Sequence, residues 1–391
     1  MVMALVAASP RFNIHWRRLQ TLSAWDGGGM GGLYGAMIKG LGYVALAALA
    51  GAAPAAWSQV AVEELSAEHR TLGDHTEFRF PLVPGDTETA RRINTWLQVS
   101  LLERFPGGPG ETPFDAVWPQ EGEWTGVTYL DYQVVTNAIG FLSVVFNGEY
   151  TGAYPSAFSQ SYQFETRTGQ PLFLATLFTE DGVKELQSRV DAMQVHDIDA
   201  FLQAAQPNGL DQEEAKIQAD LYRECCENVR TGLYDEREWQ LRADALVMTR
   251  GCGFPHAVRA LDDLGIEESR FDYDTLAPWL SEYGRCLLVE KRADCPPPQP
   301  GYQGVFMGEM DGRFPVTLVL GAWSGPAWYA YDKYKVPIRL HREASRDGVL
   351  VLTRRDEGET TETFTLRWTD DGDLVGRWQR PGRPPLPVHL H

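Results

Sequence analysis

Three stretches of this chain approach motifs that do chemistry in other proteins. Gly321-Ala-Trp-Ser324-Gly325 comes near a nucleophile elbow, but its serine stands one place late and no strand–turn–helix pattern surrounds it. Gly27-x-Gly29-x-x-Gly32 matches the dinucleotide-binding pattern letter for letter, yet no strand precedes it and no βαβ unit encloses it, so nothing would aim its backbone at a phosphate. Cys252-Gly-Phe-Pro-His256 puts an imidazole on a loop ahead of Asp262-Asp263, where it serves as a base, contacts a ligand or bonds to backbone. Asp262-Asp263 and Glu267-Glu268 are the carboxylates available for acid and base roles, although such clusters read first as the solvated face of a helix. H-E-x-x-H, the phosphate-binding loop and the N-glycosylation triplet do not occur, and histidines 69, 75, 196, 256, 341, 389 and 391 have no ligand spacing. No catalytic residue, metal ligand or cofactor is assigned.

Binding offers more. Tyr150, Tyr154 and Tyr162 crowd the loop Gly152–Pro155, and aromatic faces either stack on sugars, fill protein hot spots or simply pack a core. Tyr150, Tyr154, Pro155 and His256 are therefore the candidate binding residues. Trp323, Trp328, Tyr329, Tyr331 and Tyr334 form a second aromatic group that equally suits the lining of a barrel.

The next question is where such a surface would work. Residues 37–58 place Lys39 before an apolar run from Leu41 to Ala56, and Ala56 and Ser58 supply small residues at −3 and −1. That is the layout of a secretory signal cleaved before Gln59. The run is shorter than the roughly 20 apolar residues of a membrane span, and Pro54 interrupts it. No cysteine follows it to carry a lipid anchor. Because a signal begins near its own basic residue, Met37 is read as the start and residues 1–36 as upstream translation; Arg17-Arg18 lie too far from the apolar run for a twin-arginine signal.

From Gln59 onward the chain carries 31 basic and 52 acidic residues, a net of −21, against −18 for all 391 residues. This charge disfavours nucleic acid, which is gripped through displaced counterions, and favours encounter with a cationic protein. All five cysteines lie in the exported part, where disulfides persist. Cys286 and Cys295 would close a small loop through a turn at Glu290-Lys291, worth roughly 2–3 kcal/mol. Cys225 and Cys226 point about 100° apart on a helix, so one of them reaches Cys252 and one thiol stays outside any disulfide. The alternative, Cys252 with Cys286, would leave Cys295 out.

These residues need elements to position them. His75–Val83 reads as a strand, followed by a helix capped by Asp86 or Thr87 with Ala90, Ile93, Leu97 and Leu101 on one face and Pro106–Gly110 as its stop. Val127–Thr136 and Phe141–Asn147 are extended, and Ser161–Glu165 and Gln170–Leu174 flank the hairpin turn Thr166-Arg-Thr-Gly169. Helices are expected from Asp181, from Asp197, from Asp211 to about Arg230 and from Asp274 or Thr275 to Tyr283, with a buried strand at Ala245–Arg250. The order argues an α+β domain, a largely antiparallel sheet with helices on one face. Cys295-Pro-Pro-Pro-Gln-Pro-Gly301 is a semi-rigid seam. Beyond it, alternating runs such as Phe314-x-Val316-x-Leu318-x-Leu320 and Phe364-x-Leu366-x-Trp368, separated by Asp311-Gly312, Asp347-Gly348, Asp371-Gly372 and Pro381-Gly382, predict a small antiparallel meander or barrel that folds alone. The expected boundaries are thus 37–58, 59–294, 295–301 and 302–391.

Gly152-Ala153-Tyr154-Pro155 and Tyr162-x-Phe164-x-x-x-Thr168-Gly169-Gln170-x-Leu172-x-Leu174-x-x-Leu177-Phe178 resemble the domain of unknown function in lysozyme-binding anti-sigma factors of the RsiV type, found also beside the deacetylase domain of PdaC-type wall enzymes. Pro255-His-Ala and Phe271-x-Tyr273-x-x-Leu276-x-Pro278-x-Leu280 extend the resemblance over roughly residues 60–285. Tyr154 stands where the family has His, Gln170 where it has Lys and Thr176 where it has Asp. The resemblance implies a wall-facing, non-catalytic recognition domain; lysozyme binding itself does not transfer, because its loop residues find no match here. The part after the seam resembles a β-module of secreted bacterial proteins, with Tyr302-x-Gly304 and Gly376-x-Trp378 near its ends. The expected function is that of a periplasmic or secreted binding protein touching peptidoglycan or a cationic wall-directed protein such as lysozyme. The rival expectation is a wall-active hydrolase with a site assembled from scattered residues, and a third is a structural envelope protein.

Overall fold

The computed structural model describes residues 59–71, 74–138, 140–204, 209–229, 239–292, 294–296, 303–321, 326–343, 348–356 and 358–391. The signal segment 37–58, the stretch before it with Gly27, Gly29 and Gly32, most of the proline seam, Arg230, Tyr302, Trp323 and Ser324 lie outside them.

The strands β1 (Glu63–Thr71), β2 (Asp74–Leu82), β3 (Gly126–Asn137), β4 (Phe141–Thr151) and β5 (Pro155–Glu165) form a five-stranded sheet in chain order. Every pairing is antiparallel except β2 with β3, which touch in parallel at Phe78 and Leu130. Between these two strands runs helix α1 (Glu88–Leu102), started by Thr87, whose hydroxyl accepts the Ala90 N–H at 3.1 Å. The helix ends before the proline–glycine run, at Glu103, which takes a left-handed conformation (φ 51°) and closes the last turn onto Gln98.

α1 is buried well beyond the single stripe expected of it, from Arg92 through Val99 without a break. One side meets Phe78, Phe80, Val144, Phe146 and Phe164 of the sheet. The other side meets Val305, Met307, Val319, Trp328 and Ala330, which face outward from the C-terminal strands. On the buried helix Asn94 is satisfied locally: its amide accepts from Val83 N–H at 2.9 Å and donates to the Val83 carbonyl at 2.8 Å.

The turn Thr166–Gly169 forms as expected, with Gly169 at φ +76° and its Cα only a virtual methyl away from the Thr89 backbone of α1 (a Cβ would fall 2.4 Å from that carbonyl). The second arm is shorter than a strand. It makes a single bridge, Phe164 with Pro171, before α2 (Leu174–Leu177). The two helices expected from Asp181 and Asp197 are one, α3 (Glu180–Ala204), because no breaker separates them. It is followed by α4 (Gln212–Val229), whose first N–H groups are accepted by the Asp211 carboxylate. β6 (Trp239–Leu241), β7 (Ala245–Arg250) and β8 (Glu267–Asp272) make a second antiparallel sheet. The helix expected over 274–283 is two pieces, Tyr273–Leu276 and Glu282–Arg285, the second capped by Ser281 and continued as a π turn to Glu290. The fold of this part is α+β.

The C-terminal part is an all-β barrel of eight antiparallel strands, β9 (Gly304–Met310), β10 (Phe314–Leu320), β11 (Ala327–Tyr331), β12 (Ile338–Arg342), β13 (Val349–Asp356), β14 (Glu359–Trp368), β15 (Leu374–Gln379) and β16 (Leu386–Leu390), closed by β16 pairing with β9. Asp311 and Gly312 both have positive φ and lie in the three-residue turn 311–313 between the paired Met310 and Phe314. Val316, Leu318, Leu320, Leu350, Leu352, Phe364 and Leu366 fill the interior. One carboxylate joins them. Glu362, 1% exposed, accepts from the Tyr329 hydroxyl, the Trp378 indole at 3.2 Å, Arg354 at 3.2 Å and Arg380 at 2.6 Å. Among the described residues no helix is long and apolar enough to cross a membrane.

The barrel does not sit apart from the α+β part. Gln170, on the second arm of the hairpin, donates to the Val305 carbonyl at 2.8 Å and accepts the Val305 N–H at 3.0 Å, acting as one rung of a strand pair. Gln170→Ala would leave both backbone groups of β9 without their partner in a seam closed to water. A loss of about 2 kcal/mol is expected from two such bonds. It should be read as a lower urea midpoint at unchanged slope, with tryptophan fluorescence and far-ultraviolet circular dichroism moving together in a single transition.

Candidate functional site

β4 and β5 pair as far as Thr151 with Pro155, which leaves Gly152, Ala153 and Tyr154 as a three-residue loop. Tyr150 packs under that loop, so close that a Cβ on Gly152 would sit 3.2 Å from its ring. Farther along, the Phe158 ring lies over Gly148 and fills the space of the missing side chain. Tyr162 is buried against Phe146, ring centroids 5.9 Å apart, and belongs to the core. Tyr154 is the opposite case: it is 66% exposed.

His256 reaches the same place from the other half of the α+β part. Its loop leaves β7 and is held twice. Cys252 is bonded to Cys225 of α4, Cα atoms 5.5 Å apart, and Phe254 is buried with its ring 4.8 Å from that of Tyr222. Pro255 then sets the first turn of the 3₁₀ segment His256–Leu261. Held there, the exposed imidazole stacks on Tyr154 with centroids 5.0 Å apart and planes 19° from parallel. Of the four candidate residues, the fold brings Tyr154 and His256 into contact, puts Pro155 beside them at the exposed start of β5, and half-buries Tyr150 as their support.

Trp124 escaped the sequence reading. It is 64% exposed and stands two residues before Gly126, which pairs with Thr151 at the root of the Tyr154 loop. Its setting, Glu121-Gly-Glu-Trp-Thr-Gly126, is the signal: a tryptophan among charged residues and glycines has no apolar neighbours to pack with. Tyr329, by contrast, is a barrel-core residue, while Tyr334 is exposed.

The acidic clusters are structural, and they are not on a helix face. Asp262 accepts from the Tyr222 hydroxyl at 2.9 Å and from the Gly265 N–H at 3.1 Å, and Asp263 accepts from Gln218 at 3.0 Å. Glu267 and Glu268 open β8 on opposite faces and cannot act as a pair. Glu268 binds Arg242 at 2.8 Å. Glu267 shares Arg250 with Asp197: the buried guanidinium lies 3.1 Å from the first and 2.8 Å from the second, and donates to Ser269 at 2.6 Å. This group ties α3 to β7 and β8. Burial pushes the Glu267 carboxyl above its usual range, Arg250 opposes that, and the neighbouring Asp197 charge adds to it.

Cys286 and Cys295 form the second disulfide, Cα atoms 5.6 Å apart, as their spacing allows. The chain between them does not turn as a hairpin at Glu290-Lys291; it continues helical to Glu290 and reverses at Lys291, which is left-handed at φ 50°. Both cysteines are buried in the core built on α2 and α3. Cys226 is the cysteine outside the two disulfides. Among the described residues no group of three or more His, Cys, Asp or Glu side chains is placed to hold a metal ion.

No model of a protein family matches the chain, and no curated protein matches it. Solved structures similar to part of it include two of the DUF3298 family. One is a member of the DUF3298 family from Bacteroides fragilis, 14% identical, covering 60% of this chain and 99% of that one at a TM-score of 0.39. The other is a DUF3298 family protein from Pseudomonas aeruginosa, 16% identical, covering 57% of this chain and 96% of that one at a TM-score of 0.38. A likeness of this size bears on neither the family nor the function of this chain.

The Arg250 group gives a pH signature. A carboxyl whose folded value is raised contributes stability below its unfolded value, about 4.3 for glutamate, and loses it as the pH climbs through the folded value. Arg250→Met would leave Asp197 and Glu267 facing each other without their shared cation, a repulsion that exists only when both are ionised. The difference in urea midpoint between wild type and Arg250→Met should therefore widen from pH 4 to pH 7. A constant difference over that range would mean that the two carboxylates do not interact.

Proposed function

We propose that the chain from Gln59 onward is an exported, non-catalytic binding protein of the bacterial envelope, and that it contacts the cell wall or a cationic wall-directed protein such as lysozyme. The observation that carries this reading is the exposed Tyr154–His256 stack. An aromatic face on the surface, already held by a supporting tyrosine, a disulfide and a buried phenylalanine, loses little freedom when a ligand settles on it. Two disulfides suit an oxidising compartment, in keeping with cleavage before Gln59. The net charge of −21 favours a cationic partner. The resemblance to RsiV-type and PdaC-type extracytoplasmic domains points the same way, since its Gly152–Pro155 motif includes Tyr154.

The mature protein should be retained by purified peptidoglycan sacculi or by immobilised lysozyme. Tyr154→Ser and His256→Ala should each weaken that retention about tenfold, as truncation of a hot-spot aromatic does, without lowering the thermal midpoint. Retention by neither material, or retention indifferent to both substitutions, would overturn the reading. Export has its own check: the intact mass of protein recovered outside the cytoplasm should begin at Gln59, and a mass beginning at Met37 would refute cleavage of the signal.

A further inference from the structure

The five-stranded sheet has two edges, and they are unlike. β1, Glu63–Thr71, reads Glu-Glu-Leu-Ser-Ala-Glu-His-Arg-Thr, a strand guarded by charge. β5 carries no charged residue before Glu165; its first six residues are Pro-Ser-Ala-Phe-Ser-Gln. The side of β5 that faces away from β4 can be read from its far end. The Gln163 carbonyl accepts from Leu172 N–H, and Glu165 N–H donates to the Gln170 carbonyl, so residues of odd number turn their backbone groups outward. The pairing with β4 runs without a bulge, and that assignment extends to Ala157 and Ser159. Both are exposed, and among the described residues nothing bonds to their outward N–H or C=O groups. Pro155, also outward, contributes a carbonyl and has no N–H to leave open. Beyond Gln160 the edge is covered, where Gln163 donates to the Trp239 carbonyl of β6 at 2.9 Å.

We infer that the edge Pro155–Gln160 accepts an extended, cationic polypeptide segment as a sixth strand. This rests on the binding reading above and names the partner class and the way it is held. Backbone groups of Pro155, Ala157 and Ser159 supply the ladder. The Tyr154–His256 stack stands at the head of the edge and receives the first side chain beyond it. The choice of a cationic segment follows from charge. The loop that carries His256 is bonded through Cys252 to α4, and α3 and α4 together carry 11 acidic and four basic residues. A second copy of this chain, at −21, would be repelled from the same edge. Peptidoglycan glycans have no ladder of amides to offer.

The test uses the exported chain and two fluorescein-labelled peptides: an octapeptide of alternating Lys and Val, and the same sequence N-methylated at alternate amides so that one edge cannot donate. Ser159→Pro removes only an outward N–H of an edge strand, so it should fold with a thermal midpoint within a few degrees of wild type. Ala157→Lys keeps the backbone and sets a positive charge against the incoming strand. Fluorescence anisotropy should show binding of the plain peptide to wild type, weakened at least tenfold by Ser159→Pro, by Ala157→Lys and by N-methylation. Hydrogen exchange at Ala157 and Ser159 should slow in the complex. If all the proteins and both peptides bind alike, the contact is electrostatic only: strand addition is refuted and the binding reading stands. If wild type takes neither peptide yet is retained by sacculi, the polypeptide partner is refuted and the wall-binding reading stands. Failure on peptides, sacculi and lysozyme together sinks both.

Discussion

The helix Glu88–Leu102 is gripped from two sides, and most of the molecule is arranged around that grip. Its sheet side touches aromatic residues of β2, β4 and β5; its other side touches the outer wall of the barrel at β9, β10 and β11. A large apolar side chain buried this way contributes about 1.5–3 kcal/mol, and Ile93, Trp96, Leu97, Val99 and Leu102 all lie in the layer. The barrel strands in contact must therefore be apolar on both faces: Val316, Leu318 and Leu320 point inward while Val319 points at the helix. The proline seam divides the sequence into two textures, but the core crosses it, and residues from Gln59 to the end belong to one compact unit.

Much of this was legible, and the exceptions have physical causes. Period-two alternation exposed β14 and β16, whose two faces see different surroundings, and it also marked β10, although Val316–Leu320 are buried on both faces. β9, Gly-Val-Phe-Met-Gly-Glu-Met, and β11, Ala-Trp-Tyr-Ala-Tyr, carry no such pattern because both of their faces are buried. The barrel class was readable from the turns; its closure was not, since pairing of β16 with β9 leaves no trace in either strand alone. In the same way, Tyr154 and His256 could each be singled out by type and setting, whereas their contact depends on a loop position fixed by Cys252 and Phe254. The Cys286–Cys295 bond was readable from its spacing, whereas the choice of Cys225 over Cys226 for Cys252 was not. The Arg250 group was hidden, because Asp197, Arg250 and Glu267 come from three elements and none is unusual on its own.

Buried charge in this molecule is used for cross-linking. Glu362 holds four donors inside the end of the barrel, and Arg250 holds two carboxylates between a helix and a sheet. The buried member of each group, Glu362 or Arg250, is the one whose loss of partners would leave an uncompensated charge. Both groups thus fix geometry more strongly than an apolar contact of the same size would, and the Arg250 group does so within two residues of the disulfide that positions His256.

The closure of the barrel has a consequence in time. β9 is completed by β16, some 80 residues farther along the chain, and β9 also supplies the second wall of α1. Until the last strand is free to pair, the barrel has an open side and the helix near residue 90 lacks part of its cover. Contacts so distant along the chain form slowly, because long loops must close before they are rewarded. A chain built in this order keeps the cover of its first helix unfinished until its last barrel strand has paired.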